Sequence, residues 1–559
     1  MDRALTDASL VVAAKRDGTT APQDILAAAQ ADYGRLVGTL YEQGYYGPVV
    51  SIHVDGREAA TIPPLTALAD VSRIDIAVST GPVFRLGRAE IAPLTAATTL
   101  PGTFRAGALA QTSAIRDAAL AGVAGWRAVG HAKATVDRQD IIADHQQARL
   151  DVALRIAPGP RVRVGDLTIA GGSAVRDERI RQIAGIPSGQ VFDPIVLERA
   201  ATRLRRAGPF SSVALREAET LAPGDTMDVE LALVDAKPRR FGFGAEMQTN
   251  EGLTLSAFWM HRNLLGGAER LRIEGEVSGL GGETSGLDYH LGAGLTRPST
   301  FNTDTDLYVL GEVEQLDEPH YFSRQGSIEL GVHRYFSETL TADVGLTYRF
   351  SDVQDDLGSR QFSHLALPLA LTLDRRDDLL NPTQGSYLHA EAMPFVGLGN
   401  SASGGRGYVD ARAYRSVGAD DGVVLAGRLQ FGTVVGASIA ETPPDLLFLS
   451  GGSGTVRGHS YQSLSITSGA AETGGRSFLA ISGEVRVPVS GKIAAVAFYD
   501  AGYIGANSWI DDTGGWHSGA GIGLRYQTGI GPIRLDVAAP VSGPNSSGFQ
   551  IYVGIGQAF

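Results

Sequence analysis

The sequence predicts two architectures in series: small α+β repeats, then an all-β transmembrane barrel of about 16 antiparallel strands. Three observations carry this. Alternating strands that end at the evenly spaced Pro82, Pro160 and Pro238 recur through residues 1–238, with helical stretches between them. Beyond Pro238 the strand-type alternation persists and no long helical period survives. Glycine supplies 71 of 559 residues without a Pro/Ser-rich low-complexity run, above its usual share of about 7%.

Composition narrows the function classes. A net charge of -13 argues against nucleic acid as a partner. The absence of cysteine removes disulfides and thiolate metal sites. No window of 18 uninterrupted apolar residues predicts a membrane helix, a test that barrel strands escape because they alternate. Leu10-Val11-Val12-Ala13-Ala14 is too short for the apolar core of a signal peptide, so an exported protein would carry its signal outside this sequence.

The repeats follow one order. In the first, Ile25 to Gln43 places Leu26, Tyr33, Leu36, Val37, Leu40 and Tyr41 at helical spacing and stops at Gly44. Strands follow at Val49 to Val54 and at Ile74 to Val78, the latter ending at Gly81-Pro82. The second opens with a strand near Val83, has a helix over Ile115 to Val129, and then strands at Ala132 to Asp137 and Arg149 to Ile156. Leu150, Val152, Leu154 and Ile156 share one face, the mark of a half-buried strand. The third opens at Arg161, has a helix over Asp193 to Ala207, and closes with strands at Phe210 to Leu215 and Met227 to Val234. Proline cannot donate to a ladder, so each Gly-Pro or Lys-Pro marks a strand exit. The expected divisions are 1–81, 82–159, 160–238 and a barrel over 239–559, with the first unit lacking the opening strand of the others.

Within 239–559, Leu271, Ile273 and Val277 alternate with Arg272, Glu274 and Glu276, while Ile533, Leu535 and Val537 alternate with Arg534 and Asp536. A polar face with charges of both signs and glycine is that of a water-filled lumen. Closure is required, because an open edge in lipid leaves backbone groups unpaired. At about 20 residues per strand and connection, the segment makes about 16 strands.

One loop stands apart: Gly451-Gly452-Ser453-Gly454-Thr455-Val456-Arg457-Gly458-His459, a single arginine among small residues. Parity along Phe478 to Val487 turns Glu484 and Arg486 to the lumen, and parity around Phe498-Tyr499-Asp500-Ala501-Gly502 does the same for Asp500. An arginine entering the lumen could meet both acids in charge-assisted hydrogen bonds; the alternative is a solvated loop arginine.

Val456-Arg457-Gly458-His459 resembles the VRG[F/Y] motif of the inward-folded sixth loop in the BamA/TamA (Omp85) superfamily. Phe498, Asp500 and Gly502 resemble its paired [F/G]xDxG motif, and Asp374-Arg375-Arg376-Asp377 with Asn381-Pro382-Thr383-Gln384-Gly385 is similar to its DxRD…P…G segment. Ala257-Phe258-Trp259-Met260-His261-Arg262-Asn263-Leu264-Leu265-Gly266-Gly267 resembles the early barrel of the family. The repeats resemble POTRA domains, and the terminal Phe559 on an alternating strand resembles the β-signal of outer-membrane proteins. His459 departs from the family's usual aromatic.

The resemblance, closest in domain count to the TamA branch, implies an outer-membrane assembly factor of a Gram-negative bacterium. Its POTRA units would lie in the periplasm. It would act on the lipid bilayer and on unfolded, autotransporter-like outer-membrane clients, with an inner-membrane-anchored TamB-like partner. It also implies a weak seam between the first strand, Arg240 to Met247 with Phe241, Phe243, Ala245 and Met247 outward, and the last, Phe549 to Phe559. Gly242, Gly244, Gly554 and Gly556 would thin that seam, or else relieve crowding inside the barrel. A polypeptide secretion channel of the two-partner type and a general barrel insertase are the alternatives. No catalytic constellation, nucleotide loop or metal spacing is readable, so neither enzyme activity nor a cofactor is expected. Asp374, Asp377 and Asp378 read as a turn with solvated or mutually paired charges rather than a calcium cluster.

Overall fold

A computed structural model of the chain describes residues 2–64, 66, 68, 70–248, 252–282, 286–418, 422–469, 471–529, 531–544 and 548–559, without the side chains of 2 and 246–248. The outward placement expected of Met247 therefore lies outside what is described. The chain divides into two compact units: Met1–Thr168 with Ile186–Arg199 and Leu215–Leu231, and Ile169–Gly185 with Ala200–Ala214 and Ala232–Phe559.

In the first unit, helices Asp2–Ala8, Leu10–Arg16 and Pro22–Glu42 precede a sheet in which Val49–Val54 is central, between Arg57–Glu58 and Ile74–Ser79. No opening strand occurs among the described residues before Val49; two short helices occupy Asp2–Ala8 and Leu10–Arg16 instead. The buried Asp32 carboxylate holds the start of the second, accepting from the Ser9 hydroxyl at 2.6 Å and from the Leu10 and Val11 backbone N–H groups at 2.7 and 3.1 Å. It thereby satisfies helix-start donors that would otherwise lack partners.

The next repeat pairs Arg85–Ala92 in parallel with Arg149–Ala157, which pairs antiparallel with Thr135–Asp144. Leu150, Val152, Leu154 and Ile156 are all buried beneath the helix Thr112–Ala128. The strand expected at Ala132 to Asp137 starts later and runs further. In the third repeat a sheet of Arg163–Ala170, Thr226–Asp235 and Phe210–Glu217, with the second of these central, is joined by helices Asp177–Ala184 and Pro194–Ala207. The eight-residue helix Asp177–Ala184 is not anticipated by the sequence, being too short for a clear period.

In the second unit, seventeen strand segments close into a barrel. Gly358–Ala366 and Leu369–Asp374 both lie between Leu340–Asp355 and Gly385–Gly397. They fill one position, so the wall is sixteen strands around. The break falls at Leu367-Pro368, where proline has no N–H for the ladder. Successive strands are antiparallel, and the outward face is apolar: Leu255, Ile328, Leu330, Ile522, Leu524, Leu535 and Val553 are all exposed. An uncovered apolar belt of this extent is a lipid-facing surface. No described helix is long and apolar enough to cross a membrane.

Parts of the third repeat also belong to this unit. Arg203 pairs with Asp304 at 2.9 Å, and Arg206 lies 3.4 Å from the same carboxylate. The buried Arg179 donates to the Pro298 and Gly267 carbonyl oxygens at 2.7 and 3.2 Å. These partners lie in the connections 262–269 and 298–304 at one end of the barrel.

The last strand is Gln550–Ile555, shorter than the sequence predicts, and Phe559 is not on its outward face. Gly556 has φ +92°, which turns the chain inward. The Gln557 N–H then donates to the Leu380 carbonyl oxygen at 3.1 Å, and Phe559 is buried against Tyr414 and Ala426. Arg486 donates to the Phe559 carbonyl oxygen at 3.2 Å. Phe559 and Gly556 are thus removed from the expected seam strand.

Candidate functional site

Residues between Val423–Val435 and Ser477–Ser490 fold back into the lumen from the end opposite the connections 262–269 and 298–304. Leu447, Phe448, Leu464 and Ile466 pack on Val434, Phe478, Ala480 and Ile504 of the wall. A small hairpin, Ile466–Ser468 with Ala471–Thr473, gives the loop its own backbone pairing. This packing holds the tip at a fixed depth.

At the tip Arg457 is 2% exposed. Its Nε and Nη2 donate to the two Asp500 oxygens at 2.7 and 2.9 Å, and its Nη1 donates to Glu484 Oε1 at 2.6 Å. Its backbone N–H adds a 3.1 Å bond to Asp500. The guanidinium lies 3.5 Å over the centre of the Phe498 ring, a cation–π contact strengthened by desolvation. Asp536 stands 3.6 Å from Nη1 and also pairs with Arg525, while Arg486 pairs with Glu484 at 3.0 Å. Buried charges survive only when paired and hydrogen-bonded, and here each carboxylate has at least one guanidinium.

The structure brings together the three residues the sequence predicts, Arg457, Glu484 and Asp500, and adds Asp536, Arg486 and Arg525. Asp536 carries a sequence signal, since its outward neighbours Leu535 and Val537 put it on the lumen side. Arg486 carries the same parity signal. Nothing in the order of residues joins either to a loop on another part of the wall.

Backbone proximity seats the tip. Gly458 has φ +102°, and a Cβ there would lie 2.6 Å from the Ala539 carbonyl carbon. A Cβ on Gly519 would lie 1.9 Å from the Arg457 carbonyl oxygen. Gly502 faces Val456 in the same way, a Cβ falling 2.8 Å from its Cγ2. The Gly458 N–H donates to the Tyr552 hydroxyl at 3.0 Å, tying the loop to the last strand. His459 is buried, its Nε2–H donating to the Ser518 carbonyl oxygen at 3.1 Å and its ring set edge-on to His517. An imidazole therefore fills the place of the usual aromatic and adds a hydrogen bond.

The first strand, Arg239–Gln248, exposes Phe241 and Phe243 outward. Ten ladder pairs join it to Gly252–His261. Among the described residues, one pair, Gln248↔Tyr552, joins it to the last strand. Gly242 leaves room for the Phe258 ring, Gly244 for Ser256 and Gly554 for Arg534, so these glycines do accommodate neighbouring side chains. Asp374 pairs with Arg376, and Asp377 caps the following turn by accepting from the Thr383 hydroxyl and the Thr383 and Gln384 N–H groups. Among the described residues no group of His, Asp and Glu could hold a metal ion.

Comparison with known proteins decides the family. The Omp85 superfamily domain matches residues 263–559, more than half of the chain. The chain belongs to the Omp85 superfamily. A POTRA model, described as a surface antigen variable number repeat, matches residues 162–233. A segment of 117 residues is 26% identical to the outer membrane protein assembly factor BamA of Neisseria meningitidis serogroup B, covering 21% of this chain and 15% of that protein. BamA from Haemophilus ducreyi lacking POTRA domains 1–3 shares the fold at a TM-score of 0.63 and 18% identity, over 81% of this chain and 95% of that one. CdiB from Acinetobacter baumannii does so at 0.52 and 14%, over 84% and 89%. In this Omp85 chain the arginine loop and the sparse first-to-last strand pairing occupy one unit.

Proposed function

We propose that this protein is a β-barrel assembly factor that folds and inserts unfolded clients into the outer membrane of a Gram-negative bacterium, with its POTRA units in the periplasm. The observation that carries the reading is the single ladder pair, among the described residues, between the first and last strands, beside ten on the first strand's other side. Arg239–Met247, all described, has no ladder pair with the last strand, and an edge so left offers unpaired N–H and C=O groups to an incoming strand. The Arg457 anchor holds the lumen's contents in place while the wall opens. The finer assignment is a TamA-type factor for autotransporter-like clients, working with an inner-membrane-anchored TamB-like partner; the number of α+β repeats supports it.

The test is folding of an autotransporter barrel into vesicles containing this protein, in which Gln248→Cys and Tyr552→Cys are joined by oxidation. Acceleration by the reduced protein that is lost on oxidation and restored by reductant supports the seam, with Tyr552→Cys alone as control for the lost hydroxyl. Acceleration unchanged by a closed crosslink refutes it. Robust conductance with no client folding would favour a secretion channel.

A further inference from the structure

Beyond the arginine loop, the lumen holds a cavity of about 450 Å³ between the wall and the loop. Its lining includes Glu312, Glu314, Glu329 and Asp445, with Arg349 as the opposing cation and the His364 ring beside it. An adjoining cavity of about 230 Å³ shares Glu329 and adds Asp343 and Glu391 against Arg406. Carboxylates outnumber guanidinium groups in both.

Two acceptors are left over. His364 is 2% exposed and its Nε2 has no hydrogen-bond partner. The ring hydrogen-bonds the Ala402 backbone, and a carbonyl there takes the proton-bearing nitrogen, which leaves Nε2 as a bare lone pair. Asp445 gives one oxygen to Arg349, while its buried Oδ1 has no partner. A buried acceptor without a donor is costly, and it is satisfied by a ligand that brings N–H groups. Among the described residues these groups do not converge as metal ligands do. They are spread along two adjoining chambers that share Glu329, which suits an elongated organic cation rather than a point charge.

We propose that the paired chambers bind alkylammonium groups of a linear polycation, one donating to His364 Nε2 and Asp445 Oδ1 and the next lying near Glu329. Such groups come from a free polyamine or from lysine side chains of an extended client segment; both present N–H donors on a flexible stem. Because Asp445 belongs to the loop and His364 to the wall, occupancy would fasten the two together.

The experiment is calorimetric titration of the full chain in lipid nanodiscs with spermidine, with a strand peptide bearing two lysines on one face, and with its glutamine counterpart. Saturable binding of spermidine or of the lysine peptide is expected, the first identifying a free polyamine and the second a client lysine. Glu314→Gln with Asp445→Asn should weaken it about tenfold, the effect of losing charge-assisted hydrogen bonds. His364→Phe should weaken it as well. Glu276→Gln, an exposed acid outside both chambers, should leave it unchanged. Heat-modifiable mobility of each variant checks that the barrel is intact. No saturable binding by any amine, or equal weakening by Glu276→Gln, overturns the proposal.

Discussion

Asp500 accepts three hydrogen bonds from Arg457, two from its guanidinium and one from its backbone N–H, with both residues buried. The pair fixes both the side chain and the backbone of the loop tip, so it orients the loop as well as attaching it. Glu484 occupies the remaining guanidinium edge.

Arg457→Ala should cost about 3–5 kcal/mol, because it leaves the buried Asp500 carboxylate without a guanidinium, while Glu484 keeps Arg486 and Asp536 keeps Arg525. Arg457→Lys should recover only part, since an ammonium cannot match the planar fork. Denaturant unfolding in detergent micelles measures both, and loop cleavage by protease should follow the same order.

Gly458→Ala should unseat the tip without altering any charge. The positive φ disfavours a side chain, and the new Cβ would meet the Ala539 backbone. The expected loss is above about 1 kcal/mol, with increased protease sensitivity around the loop while the barrel remains heat-modifiable.

The contact of the third repeat with the barrel turns should resist mild acid. Burial opposes the charged form of Asp304, but hydrogen bonds and charge from Arg203, with Thr303 and Arg206, outweigh it and lower its pKa from 3.8 to about 2. A depressed carboxylate contributes stability that is full above its unfolded value and lost as pH falls through its folded one. Hydrogen-exchange protection of residues 200–207, taken relative to the intrinsic rate at each pH, should stay constant down to about pH 4 and fall between there and about pH 2. Asp304→Asn should abolish that step.

Phe559→Ala should destabilise the barrel by about 3–5 kcal/mol, the range for a buried phenylalanine. Were the ring facing lipid, the change would be small. Thermal unfolding in detergent distinguishes the two, and a lipid-soluble thiol label should fail to reach the side chain introduced by Phe559→Cys.

The barrel was legible because strand alternation survives translation into three dimensions: parity alone sets Glu484 and Asp536 toward the lumen and Ile533 and Leu535 away from it. The helix Asp177–Ala184 was not, being barely two turns long. Nor was the inward turn at Gly556, for which the one local sign is Gln557, a polar residue that interrupts the apolar face between Ile555 and Phe559.

Residue order by itself determined the repeats, the strand faces and the presence of one arginine in a glycine-rich loop, because each depends on neighbours within a few positions. Tertiary structure alone decided that Arg457 meets Asp500, Glu484 and Asp536 together, and that the first and last strands share so little ladder among the described residues. Both depend on how far the wall has curved before it closes, and closure sums small twists over sixteen strands. No short stretch of sequence contains that sum.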